Sequence, residues 1–272
     1  MKPLLLGLTG FPLGHSFSKK WFAEKFRSEA ACNIEYINLP VETPEQLSDL
    51  LKIENLAGFN VTAPYKTAII RHLDELDPTA EAIGAVNCVV RNGEKWKGYN
   101  TDWRGFMLSL EEFLGTDSHP EALILGSGGA SKAAEYAMER MSIKWRRVSR
   151  SADGRSNNLL NYAQLSKEVI AAHRLIVNTT PLGTFPNTDN APDIPYEYLT
   201  TSHKLYDMVY NPPQTKFMLC GQYYGASATN GQRMLELQAE ESWQLFRQAR
   251  FTDPELQKIL DVAADSSSLP RI

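Results

Sequence analysis

The chain of 272 residues is long enough for one large domain or for two domains of ordinary size. Hydrophobic residues make up 43% of it and charged residues 22%, which is typical of a globular protein. Its formal net charge of −4 excludes a basic surface field of the kind that attracts nucleic acid or binds an acidic membrane.

The first hundred residues alternate short apolar runs with helical patterns, and this alternation predicts a three-layer α/β unit. Ser18 is placed to cap the first helix, and the stretch from Thr43 to Gln46 has the form of a capping box. Asn92-Gly93 stands between two strand-like runs and predicts a β-hairpin. The predicted strands are residues 4–9, 34–39, 56–61, 86–91 and 95–99, and the predicted helices follow Ser18 and cover residues 66–73 and 79–83.

A second α/β run begins at Ala122, after a predicted helix over residues 101–114 and a loop over residues 115–119. We therefore expect two α/β domains with a cleft between them, and ligands at the carboxyl ends of the strands. The first domain is expected to comprise residues 1–103 with 230–272, and the second residues 104–229. Further predicted strands cover residues 146–149, 174–178, 204–209 and 226–228, and predicted helices cover residues 132–141, 216–223, 234–246 and 254–263.

A glycine-rich stretch, Gly126-Ser127-Gly128-Gly129-Ala130-Ser131, joins the strand that begins at Ala122 to the following helix. Glycines let the backbone approach a pyrophosphate closely, and the helix N-terminus presents N–H groups and a partial positive charge to it. Ser131 stands where the strict pattern has Gly or Ala. The context predicts that the second domain is a Rossmann-type dinucleotide-binding domain, and a plain strand-to-helix turn is the alternative.

The residues after the next predicted strand indicate which dinucleotide is bound. An acidic residue about 20 positions beyond the glycines specifies NAD, whereas here the strand ends in Ser149-Arg150-Ser151, with Arg155 close by. A guanidinium group can hold a ribose 2′-phosphate through two parallel hydrogen bonds. This loop therefore favours NADP over NAD, although Asp153 also lies in it and a solvated basic loop is the alternative.

Polar side chains follow the predicted strand ends of the first domain, and such residues converge on one site in an α/β fold. Each also has an ordinary structural explanation: Ser18 as a helix cap, Asn87 as a turn former, Asp102 as a charge at a helix N-terminus and Lys66 as a solvated surface lysine. The residues concerned are Ser16, Ser18, Asn60, Thr62, Lys66, Asn87 and Asn100-Thr101-Asp102.

In combination, these groups resemble motifs of the shikimate dehydrogenase family in order and spacing. The motifs are Gly14-His15-Ser16-Phe17-Ser18, Asn60-Val61-Thr62-Ala63-Pro64-Tyr65-Lys66, Gly84-Ala85-Val86-Asn87 and Asn100-Thr101-Asp102. The glycine turn, the stretch from Tyr206 to Tyr210 and Gln238-Ala239 extend the resemblance over essentially the whole chain. The second and fourth motifs are specific, whereas many oxidoreductases share the glycine turn.

The resemblance implies reversible, NADPH-dependent reduction of 3-dehydroshikimate to shikimate, a step of aromatic amino acid biosynthesis in the chorismate pathway. It implies Lys66 and Asp102 as the catalytic pair, and proton donation by Lys66 is a hypothesis. The implied substrate-binding residues are Ser16, Ser18, Asn60, Thr62, Asn87, Tyr210 and Gln238. The implied cofactor-binding residues are Gly126, Ser127, Gly128, Gly129, Ala130, Ser149, Arg150, Ser151, Arg155, Thr179, Met208 and Gly231.

Two stretches depart from the family pattern. Residues 231–235 read Gly-Gln-Arg-Met-Leu, where the family usually has Gly-Leu-x-Met-Leu. The loop that begins with Ser149-Arg150-Ser151 stands where the family typically has Asn-Arg-Thr and a second arginine one place earlier than Arg155. The loop therefore predicts an NADP phosphate site, and it does not define which residues contact the phosphate.

Cys32, Cys88 and Cys220 are far apart and contain no Cys-x-x-Cys pair, which predicts neither a disulfide framework nor a zinc site and suits a reducing compartment. No apolar run reaches the length of a membrane span. We expect a cytoplasmic protein, monomeric or homodimeric, with a small-molecule substrate, no metal, no nucleic acid and no membrane. The alternatives are a quinate/shikimate dehydrogenase that uses NAD(P) and a non-catalytic nucleotide-binding relative.

Overall fold

The computed structural model describes residues 3–13, 17–29, 31, 33–116, 120–150 and 158–248. The chain forms two compact units, which divide between residues 101 and 102 and again between residues 238 and 239. The first unit contains the chain before residue 102 and the part that begins at Ala239, and the second contains Asp102–Gln238.

The first unit is built on a six-stranded mixed sheet in the order β2-β1-β3-β5-β6-β4. Strand β1 pairs in parallel with β2 and β3, whereas β5 pairs antiparallel with both β3 and β6. Its strands are β1 (Leu4–Gly10), β2 (Ile34–Pro40), β3 (Leu56–Val61), β4 (Glu75–Leu76), β5 (Cys88–Asn92) and β6 (Lys95–Tyr99). Its helices are α1 (Phe17–Ser28), α2 (Leu47–Leu50) and α3 (Pro78–Ile83), with 3-10 turns at Pro44–Gln46 and Ala68–His72.

Every residue of β3 is buried, because apolar side chains cover the sheet on both faces. On one face Phe22 of α1 stacks on Tyr36 of β2 with ring centroids 4.3 Å apart, and Trp243 and Phe246 pack beside it. The other face is covered by a second cluster that includes Leu47, Phe59, Ile69 and Trp96. Helical layers on both faces make this unit a three-layer α/β structure.

The second unit is built on a six-stranded sheet in the order β12-β11-β10-β7-β8-β9, with every neighbouring pair parallel. Its strands are β7 (Ala122–Leu125), β8 (Trp145–Val148), β9 (Leu159–Leu160), β10 (Leu175–Asn178), β11 (Lys204–Asp207) and β12 (Ser227–Thr229). Its helices are α4 (Asp102–Leu114), α5 (Gly129–Arg140), α6 (Lys167–Ala172) and α7 (Lys216–Tyr223). Helix α8 (Gln232–Gln248) continues from this unit into the first, and 3-10 turns lie at Tyr162–Gln164 and Tyr196–Tyr198.

The strand order of the second sheet reverses direction between β7 and β10. Numbered by their sequence within the unit, its strands lie in the order 3-2-1-4-5-6, which is that of doubly wound dinucleotide-binding folds. Buried side chains on both faces, such as Ile124 and Val177 on one and Leu123 and Ile176 on the other, hold helices against the sheet. Ligands in such folds bind beyond the carboxyl ends of the strands at this reversal.

Several sequence-based predictions differ in detail from the structure. The helix predicted over residues 66–73 is wrong: a short 3-10 turn occupies Ala68–His72, where the β-branched pair Ile69-Ile70 lowers helix propensity. Ser18 lies inside α1, which begins at Phe17, so it does not cap that helix. Helix α5 begins at Gly129 rather than three residues later, and the two-residue strands β4 and β9 were missed because they are too short to show alternation. The helix predicted over residues 254–263 lies outside the described residues.

The capping box at Thr43 and the hairpin around Asn92-Gly93 are confirmed. Among the residues that the structure describes, no helix combines the length and apolar character needed to cross a membrane.

Candidate functional site

The topology of the first sheet brings the predicted polar motifs to one edge. The carboxyl ends of β1, β3 and β6 meet the amino end of β5 there, because β5 runs opposite to its two neighbours. Backbone hydrogen bonds fix this edge: Thr62 N donates to Thr9 O at 2.9 Å, and Val61 N donates to Asn87 O at 2.8 Å. Asn87 N in turn donates to Tyr99 O at 3.0 Å.

The side-chain amide of Asn87 is held on both sides by Thr101. Asn87 Nδ2 donates to Thr101 Oγ1 at 2.9 Å, and Thr101 N donates to Asn87 Oδ1 at 2.6 Å. Both residues are buried, with exposures of 2% and 1%. This reciprocal pair leaves the Asn87 amide one orientation, since rotation by 180° would place donor against donor.

Asn60 links this pair to two further elements. Its Nδ2 donates to Asn87 O at 3.2 Å and to Ser242 Oγ on α8 at 2.9 Å, and its Oδ1 accepts from Tyr36 Oη at 2.9 Å. Ser242 Oγ also lies 3.1 Å from Thr101 Oγ1. A buried polar network thus lies directly behind this edge of the sheet.

Tyr36 connects the network to the first helix. Its hydroxyl hydrogen-bonds the side chain of Ser18, and burial raises the pKa of Tyr36 well above its ordinary value, so the phenol stays protonated. We call the connected side chains of Ser18, Tyr36, Asn60, Ser242, Thr101 and Asn87 the front network.

Lys66 and Asp102 are positioned by the elements beside them. Lys66 is half-buried on the segment after β3, and its carbonyl oxygen accepts from Val86 N at 2.8 Å. Asp102 is the first residue of α4 and only 4% exposed. A carboxylate at a helix N-terminus is favoured by the unpaired N–H groups and the helix dipole.

The glycine turn of the second unit has the backbone that a dinucleotide site requires. Gly126 has a φ of +124°, and a Cβ there would lie 2.5 Å from Thr179 Oγ1, so a larger residue would collide as well as be strained. Gly128 precedes the first turn of α5, and a Cβ on it would meet no atom within 4 Å. The turn is therefore closed behind Gly126 and open in front of the helix N-terminus, as an approaching phosphate needs.

Thr179 and Gly231 lie close to the carboxyl ends of neighbouring strands of the second sheet. Thr179 follows β10, and its hydroxyl donates to Leu125 O at 2.7 Å, beside the glycine turn. Gly231 lies against the backbone of Met208, so closely that a Cβ would overlap Met208 O. Met208 N donates to Asn178 O at 2.9 Å, which fixes the end of β11 next to that of β10.

Ser131 has a structural role at the position where the strict glycine pattern has Gly or Ala. Its hydroxyl lies 3.0 Å from Gly126 O and 2.8 Å from Glu135 Oε1. Glu135 in turn pairs with Arg147 of β8 through both carboxylate oxygens, with Arg147 Nε 2.6 Å from Glu135 Oε1. The turn, the helix and the neighbouring strand are thereby joined by one chain of polar contacts.

Comparison with known proteins decides the family. Residues 8–89 match the model of the shikimate dehydrogenase substrate binding domain. The chain is 36% identical over 259 residues to a protein of Methanococcus maripaludis named shikimate dehydrogenase (NADP(+)), covering 90% of this chain and 92% of that one. The chain belongs to the shikimate dehydrogenase family.

Solved structures agree with this family assignment. Shikimate 5-dehydrogenase from Thermus thermophilus, solved in complex with NADP(H) and shikimate, has a TM-score of 0.77 and 27% identity over 96% of this chain and 99% of its own. Quinate dehydrogenase from Corynebacterium glutamicum, in complex with NAD, also has a TM-score of 0.77, with 25% identity over 97% of this chain and 99% of its own. The resemblance drawn from the motifs and the α/β fold class with a Rossmann-type second sheet are confirmed.

Most of the predicted site residues of this shikimate dehydrogenase family chain lie in two groups, one in each unit. In the first unit the front network contains Ser18, Asn60 and Asn87, while Thr62 is tied to the same edge only through its backbone. The second unit holds those of the predicted cofactor-binding residues that the structure describes, which are Gly126, Ser127, Gly128, Gly129, Ala130, Ser149, Arg150, Thr179, Met208 and Gly231. Ser16, Ser151 and Arg155 lie outside the described residues.

Tyr210 and Gln238 are the other predicted substrate-binding residues. Tyr210 is half-buried after β11, and burial raises its pKa, so its hydroxyl remains a hydrogen-bond donor. Gln238 is 8% exposed on α8, and its Nε2 donates to Leu235 O at 2.9 Å. A Cβ on Gly105 of α4 would lie 2.9 Å from Gln238 Cβ, so α4 and α8 pack closely at this glutamine.

Sequence reasoning missed Tyr36 and Ser242. Ser242 interrupts the buried face of α8 that also carries Ala239, Trp243 and Phe246, and its exposure is 0%. A hydroxyl on an otherwise apolar helix face is the signal that could have revealed it, since buried polar groups need partners. The described residues contain no group of three or more His, Cys, Asp or Glu that could hold a metal ion.

Proposed function

We propose that this chain is an NADP-dependent shikimate dehydrogenase, which reversibly reduces 3-dehydroshikimate to shikimate in aromatic amino acid biosynthesis. The observation that carries the proposal is the match over about nine-tenths of both chains to a protein named shikimate dehydrogenase (NADP(+)). Intact Lys66 and Asp102 favour an active enzyme over a non-catalytic relative, in which damage at these positions is expected.

NADPH fits the second unit on the features described above. The open face before Gly128, the close turn at Gly126 and the adjacent Thr179 suit a pyrophosphate at the N-terminus of α5. Met208 and Gly231 lie at the ends of the neighbouring strand and loop and are the proposed residues for the nicotinamide end. When bound, NADPH supplies the hydride that reduces the ketone.

The residues of the chain supply the proton and the orientation. Lys66 donates a proton to the ketone oxygen and stabilises the negative charge that develops there. Asp102 orients the ammonium group of Lys66 and accepts a hydrogen bond from a substrate hydroxyl. The half-buried position of Lys66 and the buried helix-terminal position of Asp102 support these roles, because electrostatic stabilisation is stronger away from bulk water.

The substrate carboxylate and ring hydroxyls require several fixed polar groups. We assign these contacts to Ser16, Ser18, Asn60, Thr62, Asn87, Tyr210 and Gln238. The locked amide of Asn87 supports this assignment, because an oriented amide can select a hydroxyl without loss of side-chain entropy on binding.

The choice of cofactor rests on the end of β8. Ser149 is buried and Arg150 is exposed, and neither offers the acidic side chain that would accept the 2′-hydroxyl of NAD. Arg150 can instead pair with the 2′-phosphate of NADP, together with Ser149, Ser151 and Arg155. The structural neighbour named quinate dehydrogenase, in complex with NAD, supports a second candidate, a quinate/shikimate dehydrogenase that uses NAD(P).

One assay separates these activities. Purified protein is mixed with NADPH and 3-dehydroshikimate, and the nicotinamide absorbance is followed; shikimate with NADP⁺ and quinate with NAD⁺ are then tested in turn. We expect rapid change with the first two pairs and little with the third. Turnover of quinate with NAD⁺ at a comparable kcat/KM would favour the second candidate. Silence with every pair would contradict both and support a non-catalytic protein.

We propose that residues 1–103 with 230–272 bind the substrate and residues 104–229 bind NADP. The protein acts in the cytoplasm on a small molecule, as a monomer or a homodimer, and light scattering coupled to size exclusion would distinguish the two.

A further inference from the structure

The front network joins three predicted substrate-binding residues through two side chains that sequence reasoning did not assign. Ser18 reaches Asn60 through the hydroxyl of Tyr36. Asn60 reaches Thr101, and hence Asn87, through the hydroxyl of Ser242. The hydroxyl of Ser242 therefore links the side chains of Asn60 and Thr101, beside the direct bond from Asn60 Nδ2 to Asn87 O.

We propose that Ser242 is a positioning residue of the substrate site, which holds the amides of Asn60 and Asn87 in the orientation that binds the substrate. This inference rests on the proposed function. Ser242 acts through its neighbours, because it is fully buried and its hydroxyl contacts Asn60 Nδ2 and Thr101 Oγ1.

The donors and acceptors of the network fix the direction of the effect. Ser242 Oγ accepts one proton of Asn60 Nδ2, whose other proton is directed at Asn87 O. A flipped Asn60 amide would turn its oxygen toward Asn87 O, an acceptor against an acceptor, and would lose the bond that Asn60 Oδ1 accepts from Tyr36. Loss of the Ser242 hydroxyl removes one of the two buried acceptors of Asn60 Nδ2 and one contact of Thr101 Oγ1, so both side chains are held less tightly.

Thr101 transmits the effect to the substrate residue. Its hydroxyl is shared between Asn87 Nδ2 and Ser242 Oγ, while its backbone N–H holds Asn87 Oδ1. A shift of the Thr101 side chain therefore loosens one of the two bonds that orient Asn87. The expected consequence is weaker binding of shikimate, with little effect on the bound cofactor or on the chemical step.

The test compares Ser242→Ala with Ser109→Ala. Ser109 is also a buried helical serine, 4% exposed, whose hydroxyl contacts Phe106 O and Tyr206 Oη in the second unit and touches no member of the front network. We expect Ser242→Ala to raise the KM and the calorimetric Kd for shikimate about tenfold, with kcat within about threefold of wild type. Ser109→Ala is expected to leave both constants unchanged, even where the two variants lose similar thermal stability.

Thr101→Val provides an independent variant and a double-mutant cycle. It removes the other hydroxyl of the link with little change of shape, and because that hydroxyl also accepts from Asn87 Nδ2, it should raise the KM for shikimate at least as much. The double variant should be no worse than the weaker-binding single variant, within about twofold, because both changes break one link. Wild-type KM and Kd in Ser242→Ala, or multiplicative effects in the double variant, would overturn the proposal.

If Ser242→Ala does not fold, Thr101→Val carries the test, and an unchanged shikimate Kd in that variant overturns the proposal. If the wild type binds shikimate but turns over no substrate pair, the proposed function fails, and the calorimetric comparison of the variants still decides the role of Ser242.

Discussion

Lys66 is the residue on which the proposed chemistry depends most directly. It is half-buried after the buried strand β3, in a segment whose backbone is tied to Val86. We predict that Lys66→Ala lowers kcat by roughly 10²- to 10⁴-fold, the usual contribution of a positioned proton donor. Affinity for NADPH, measured by fluorescence titration, should stay near wild type, because the second unit keeps its glycine turn.

The matched control is Lys95→Ala. Lys95 is an exposed lysine of the same unit, paired with Glu75 at 2.9 Å, and exposed pairs contribute little to stability. Its loss should leave kcat unchanged. A Lys66→Ala enzyme that retains turnover within about tenfold of wild type would show that another group donates the proton.

Replacement of Gly126 tests whether the glycine turn binds the dinucleotide. Gly126→Ala introduces a Cβ at a φ of +124° and 2.5 Å from Thr179 Oγ1, so the turn must open at the point where the pyrophosphate is expected. We predict that the Kd for NADP⁺ rises at least about tenfold, equivalent to roughly 1.4 kcal/mol. Isothermal titration calorimetry with NADP⁺ measures it, and shikimate affinity should not change.

Gly93→Ala is the control for backbone strain alone. Gly93 has a φ of +65° in the hairpin between β5 and β6, and a Cβ there would meet nothing within 4 Å. It should cost about 1–2 kcal/mol of stability without change in the Kd for NADP⁺. Equal NADP⁺ affinities for wild type and Gly126→Ala would contradict a dinucleotide site at this turn.

Among the secondary-structure elements, Asp207 ties β11 to its neighbours. Its buried carboxylate accepts from Asn178 Nδ2 of β10 at 2.9 Å, from Val209 N at 3.0 Å and from Thr215 Oγ1 at 2.5 Å, just before α7. Burial raises its pKa to about 6, against the opposing effect of these three hydrogen bonds. The stability that Asp207 gives to the contacts between these elements therefore depends on pH.

We predict that this group lowers the stability of the protein as the pH rises from about 4 to about 6. The folded pKa of about 6 lies above the ordinary value of 3.8, so the folded state binds the proton more tightly, and that stabilisation is lost as the pH rises through the folded pKa. Its size is on the order of 3 kcal/mol at 1.36 kcal/mol per pKa unit.

Asp207→Asn removes the titration while retaining an acceptor for Asn178 and Val209. Urea unfolding of both proteins at several pH values gives the difference in their unfolding free energies, in which the other groups cancel. Relative to the variant, the wild type should lose stability between pH 4 and pH 7. A difference that is independent of pH, or that grows with pH, would contradict the raised pKa.

The elements also show what could be predicted from the sequence. Strand β3 and the hairpin at Asn92-Gly93 were predictable, because apolar runs and a turn signal act locally. The 3-10 turn at Ala68–His72 was predicted as a longer helix, since a pattern of apolar spacing does not reveal how soon a segment of β-branched residues ends. The pairing of Ser242 with Asn60, 182 residues away in the sequence, was not predictable, because it depends on the tertiary placement of α8.

At the scale of the whole molecule, each unit has its own sheet and its own pair of apolar clusters. The first sheet is mixed and places its polar motifs at one edge, and the second is parallel and places its glycine turn at the reversal of strand order. A unit with its own core can be stabilised separately by its own ligand. The proposed assignment of the substrate to one unit and of NADP to the other is therefore testable by ligand protection.

We predict that the two ligands protect different parts of the chain from hydrogen exchange. NADP⁺ should slow exchange at residues 122–131 and 175–180, and shikimate should slow it at residues 56–66 and 85–101, since a ligand stabilises the state that binds it. At a ligand concentration of 100 Kd the stabilisation is about 2.7 kcal/mol. Exchange should therefore be roughly a hundredfold slower at amides that are exposed only when the binding site opens and releases the ligand.

Gly126→Ala serves as the internal control in the same experiment. At the same NADP⁺ concentration its protection at residues 122–131 should fall from roughly a hundredfold to about tenfold or less, and the protection that shikimate gives at residues 56–66 should stay. Protection by NADP⁺ at residues 56–66 with residues 122–131 unchanged would reverse the assignment of the units. Because exchange is read peptide by peptide, that outcome is distinguishable from a general stabilisation of the chain, which would slow both regions with either ligand.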